Sequence, residues 1–160
     1  ADFMRENVIN GTSGVLVLRE AIIALEGFDQ TLRYAEDRLL WTRIAEQWEI
    51  HTVPEVLLRR SVNNGNITAQ PRKYYPYKVQ FIELYLARYG AHMSKQQRID
   101  FVLANHADFL CASSRRGDHA HVINVFRNML DHSWQTLFFS RGKPTLRYVY
   151  ALAKTLRRTA

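Results

Sequence analysis

The stretch "SVNNGNITAQP", residues 61–71, constrains this chain most, because its Asn, Gly and Pro residues favour turns over either regular structure. It divides two segments with different apolar patterns. Before it, short runs rich in valine and leucine alternate with short helical patterns. After Pro71, apolar residues recur at the three- and four-residue spacing of helices almost to the end. The predicted class is therefore α+β, mainly helical, with one part at residues 1–70 and a helical part at 71–160.

Within the first part, "SGVLVLRE" (13–20), "EIHTV" and "EVLLRR" read as short strands. "REAIIALEGF" reads as a short helix closed by Gly27 in the left-handed cap position. Residues 37–48 read as an amphipathic helix with Leu40, Trp41, Ile44, Ala45 and Trp48 on one stripe. In the second part, "YYPYKVQFIELYLARYG" reads as a helix. Ser94 and Gln97 form a capping box for the next one, which carries Ile99, Val102, Leu103, His106 and Leu110. Val122, Val125, Phe126 and Met129 mark a further helix, expected to pair with its predecessor as an antiparallel hairpin. Pro144 opens the last, "TLRYVYALAKTLRR".

Charge is placed unevenly. Of the net +7, six basic residues and no acid fall between Ser133 and Ala160, leaving 16 basic against 15 acidic elsewhere. A nearly neutral body with a basic tail argues against a nucleic-acid surface and towards one local anionic partner. In the last helix Leu146, Val149, Tyr150, Ala153 and Leu156 share a face. With Arg147, Lys154, Arg157 and Arg158 beside them, they suit a helix lying on an anionic membrane surface. A solvated helix packed on the hairpin fits the same spacing. No apolar run reaches membrane-spanning length, and the opening "ADFMRENVIN" is not a secretion signal. Cys111 stands alone, so no intrachain disulfide forms, which fits a reducing compartment.

The chemistry-bearing feature is Glu36–Asp37 at the mouth of the 37–48 helix. Asp37 precedes Leu40 and Trp41 by three and four residues and so ends the buried stripe. Helix-end amides favour its charged form and partial burial its neutral form, a balance that can poise a general base. Capping alone, worth about 1 kcal/mol, fits the same position. His51, His92, His106, His119, His121 and His132 form no metal-binding spacing, and Cys111 has no nucleophile context. The triplets at Asn10 and Asn66 match glycosylation acceptors, a pattern common by chance.

Taken in order, "LVLRE", "EGFDQTL", "AEDRLLWTRIA" and "LLRRSVNNGNIT" resemble the acceptor-side half of family 2 glycosyltransferases, over roughly residues 9–70. The resemblance implies a partial GT-A fold and inverting transfer of a sugar from a nucleotide-diphosphate donor to a glycan or lipid-linked acceptor, in bacterial envelope synthesis. It implies Asp37 as the base that deprotonates the acceptor hydroxyl, with Glu36 supporting it. Trp41, Thr12, Ser13 and Arg60 are implied acceptor contacts, although Trp41 also fits the core and Thr12 and Ser13 the turn. The family's Asp-x-Asp motif, which holds a divalent metal (Mg or Mn) on the diphosphate, does not occur in these residues. Nor does its histidine near the Arg-rich strand; Asn63, Asn64 and Asn66 stand there instead. The expectation is a C-terminal portion of a longer cytoplasmic enzyme, at the inner face of the membrane and inactive alone. A non-catalytic helical interaction module is the rival reading, and homo-oligomerisation stays open.

Overall fold

The computed structural model describes residues 8–9, 11–59, 70–138 and 142–159, with side chains through Thr155. The chain divides into two compact units, Ala1–Asn64 and Gly65–Ala160.

The first unit contains two helices among its described residues, α1 (Arg19–Ala24) and α2 (Glu36–Ala45). Its core is Leu25, Leu40, Trp41 and Ile44, with Ile9, Val15, Val17, Ile22 and Trp48 packed against it. α1 ends in a double backbone lock, Glu26 N–H to the Ile23 carbonyl (3.0 Å) and Gly27 N–H to the Ile22 carbonyl (2.9 Å). The first left-handed residue of that cap is Glu26 (φ 58°), followed by Gly27 (φ 71°), one position earlier than Gly27 alone implied. α2 ends sooner than expected; Ala45, its last residue, is exposed, while Arg38, off the apolar stripe, is buried.

The three expected strands are not formed among the described residues. Val15 and Val17 are half-buried while Leu16 and Leu18 are exposed, which is strand-like alternation. "EIHTV" and the described part of "EVLLRR" are exposed throughout. β-branched composition prepares a segment for a sheet, but a strand exists only where a second backbone supplies its hydrogen bonds.

The second unit is helical: α3 (Pro71–Tyr89), α4 (Lys95–Arg115), α5 (His119–His132) and α6 (Lys143–Thr159). Single 3-10 turns occupy Gly90–His92 and Trp134–Leu137. α3 begins at Pro71, where proline's fixed φ and missing N–H suit the first helical position. α4 and α5 form the expected hairpin across Gly117 (φ 69°). α3 packs on α4, and α6 packs on α5. Phe101 stacks on Tyr85 with ring centroids 4.7 Å apart and lies 6.2 Å from Phe81; Phe126 stacks on Tyr148 at 4.4 Å.

The capping box forms as written. Gln97 N–H donates to Ser94 Oγ (3.2 Å) and Ser94 N–H to Gln97 Oε1 (2.7 Å). Ser94→Ala removes one of these bonds and is expected to lower stability by about 1 kcal/mol in urea denaturation. α5 is capped by Asp118, which accepts from His121 N–H (3.2 Å) and takes a two-pronged contact from Arg72 at the start of α3 (3.1 and 2.7 Å). Burial pushes the Asp118 carboxyl up, but Arg72 and the His121 amide outweigh it and hold the group below its usual value.

Candidate functional site

Glu36 and Asp37 occupy the first turn of α2, both half-buried. The residue before the helix, Ala35, is left-handed (φ 59°) and offers no side-chain cap. The first-turn amides therefore depend on other acceptors, and Asp37 supplies one: Arg38 N–H donates to Asp37 Oδ1 at 2.7 Å. Two acids here also meet the positive end of the helix dipole.

One turn on, Trp41 is 4% exposed and lies edge-on to Phe28, with centroids 6.2 Å apart. Phe28 belongs to the "EGFDQTL" turn. There Asp29 Oδ1 accepts from Thr31 N–H (2.9 Å) and Thr31 Oγ1 (2.6 Å). Arg43 of α2 also reaches the Gly27 carbonyl (3.5 Å). Two of the four quoted sequence stretches are thus in direct contact, and Trp41 joins them as a core residue. Its burial matches the core position that the apolar stripe of α2 gave it. Its indole N–H is buried and finds no acceptor among the described residues.

Thr12 and Ser13 are exposed in the turn before Val15, whose N–H donates to the Thr12 carbonyl (3.4 Å). Arg60 lies outside the described residues. Among those described, no three His, Cys, Asp or Glu side chains converge on a metal position.

The expected basic surface is split. Lys154 is exposed with its ammonium over the Tyr150 ring (5.5 Å). Arg147 instead is half-buried and donates to Cys111 Sγ on α4, so it does not share the exposure of Lys154. The side chains of Arg157 and Arg158 lie outside the described set.

A second cluster, between α3, α4 and α5, went unrecognised in the sequence. The Tyr75 hydroxyl accepts from Asn128 Nδ2 (3.0 Å) and meets His106 Nδ1 at 2.8 Å. The rings of His121 and His106 lie 5.2 and 5.6 Å from that of Tyr75, and His132 lies 5.4 Å from His106. Which of the Tyr75 hydroxyl and His106 Nδ1 donates follows the histidine tautomer. Burial, only partly opposed by Asn128, pushes the Tyr75 hydroxyl up to about 12. Burial, with the charges of His132 and Lys78, lowers His106 to about 4. Both groups are therefore neutral near pH 7, and His106 Nε2 is buried without a partner among the described residues. This is a buried polar knot that fixes helix register. The available signal was that His106 falls on the apolar stripe of α4.

The knot sets an acid response. The unfolded histidine takes up its proton near pH 6.5, whereas the folded one resists until about 4. Stability is present in full above 6.5 and falls as pH drops towards 4. Each unit of separation is worth about 1.4 kcal/mol, so the total is about 3 kcal/mol. His106→Gln is expected to flatten urea midpoints measured across that window. Asp118, held below its usual value, loses its own contribution only at more acidic pH.

No family model, curated protein or solved structure matches this chain.

Proposed function

We propose that residues 9–70 are the acceptor-side part of an inverting, GT-A-type family 2 glycosyltransferase. It acts with a nucleotide-sugar-binding segment that these residues do not contain. The observation carrying the proposal is the ordered set of four sequence stretches centred on Glu36–Asp37. In the reaction, the acceptor oxygen attacks the anomeric carbon while Asp37 takes its proton. The bonding pair of the broken carbon–oxygen bond leaves on the nucleoside diphosphate, and the anomeric centre inverts.

Two structural observations support the reading. The acidic helix start and the Gly-Phe-Asp turn are held together through Phe28 and Trp41. Leu16, Leu18, Val53, Val56 and Leu57 are exposed apolar residues in the segments whose composition reads as strands. A sheet completed by another segment would cover such residues. Thr12 and Ser13, exposed in their turn, are available to an acceptor, and Glu36 supports Asp37. The acceptor is a glycan or lipid-linked molecule presented at the inner face of the cytoplasmic membrane. The divalent metal belongs with the donor segment.

The rival, a non-catalytic helical module, draws on one observation: Asp37 Oδ1 already serves the Arg38 amide. Sugar transfer by the protein carrying its donor-binding segment, with and without Asp37→Asn, separates the two. Near-normal turnover in a folded variant would assign the carboxylate to the helix alone.

A further inference from the structure

We infer that α6 docks the helical unit flat on an anionic lipid surface through its outward face. Among the described side chains of α6, the inward side includes Tyr148, stacked on Phe126, and the buried Ala151. The opposite side shows water what an ordinary surface helix hides. Leu146, Val149 and Tyr150 are 69%, 56% and 55% exposed, and Ala153 continues their line one turn on. Lys143 and Lys154, both exposed, flank this line. Just before the helix, Trp134 and Phe138 are exposed as well, residue types found on the apolar face of interfacial helices.

Charge selects the occupant. Residues 133–160 carry six basic groups and no acid. A second copy laid on this face would bring the same positive flank against it, whereas anionic headgroups complement it while their acyl chains accept the leucine and valine. Among the described residues no helix is long and apolar enough to cross a membrane, so contact is lateral. The docking stands independently of the transfer reaction.

The test is flotation of the 160-residue chain with mixed phosphatidylcholine–phosphatidylglycerol vesicles and with pure phosphatidylcholine vesicles. Binding is expected to the mixed vesicles and to fall as salt rises. Leu146→Ser with Val149→Ser, at positions already exposed, should weaken it by about ten-fold or more. Lys143→Gln with Lys154→Gln should weaken it by about thirty-fold, some five-fold per charge. The same charge change at exposed Lys73 and Arg88 on α3 should leave it unaltered. Equal losses from both lysine and control pairs, or no loss from the serine pair, would overturn the assignment. So would a chain that binds neither vesicle and is a dimer dissociated by Leu146→Ser, which would give the face to a second copy.

Discussion

If residues 9–70 act as proposed, Asp37→Asn is expected to lower sugar transfer by about 10²–10⁴-fold, the range a positioned general base supplies. The substitution is chosen for what it keeps. The amide side chain has the shape of the carboxylate and still offers an oxygen to the Arg38 N–H now bonded at 2.7 Å, so α2 starts unchanged. It removes the negative charge, and with it the ability to hold a proton taken from the acceptor, while the lost helix-dipole interaction is worth under about 1 kcal/mol. A loss in turnover with an unaltered urea midpoint therefore isolates the chemical role. Asp37→Ala gives the complementary result: it deletes the acceptor of the Arg38 amide and should lower the stability of the first unit by about 1 kcal/mol. A protein whose Asn variant turns over normally, and whose Ala variant is merely less stable, has no base at this position.

Phe101→Ala lowers the stability of the helical unit by about 3–5 kcal/mol, the usual loss for a buried aromatic residue cut to alanine. Phe101 is 2% exposed and joins α4 to α3 through the stacked Tyr85 ring and the tilted Phe81 ring. Against a typical total of about 5–15 kcal/mol, such a loss brings the unit close to unfolding. The helical circular-dichroism signal followed in urea should show an earlier midpoint with an unchanged slope. Phe101→Leu, which keeps most of the volume, should cost under about 1.5 kcal/mol. If both variants cost less than that, the α3–α4 packing described above is wrong.

Helices were the legible part of this chain, because their signals are local. Ser94 and Gln97 sit three apart and satisfy each other's amides wherever the rest of the protein lies. The same holds for the apolar spacing of α4 and α5 and for the turn around Gly27. The polar knot was less legible: His106 stood on the α4 stripe, but Tyr75 and Asn128 come from helices far away in sequence. Asp118 had no visible role beyond punctuation until Arg72, 46 residues earlier, was brought beside it.

By itself, the sequence determined which segments of the second unit are helical, that the basic residues crowd the last stretch, and that two acids open α2. Tertiary structure alone decided which way each face turned. It put Trp41 in the core, turned Arg147 inward to Cys111, left Leu146, Val149 and Tyr150 facing water, and gave the expected strands no partner among the described residues. Periodicity specifies that residues share a side of a helix, but burial depends on which surface arrives opposite. A strand likewise requires hydrogen bonds from a second backbone that its own residues cannot specify.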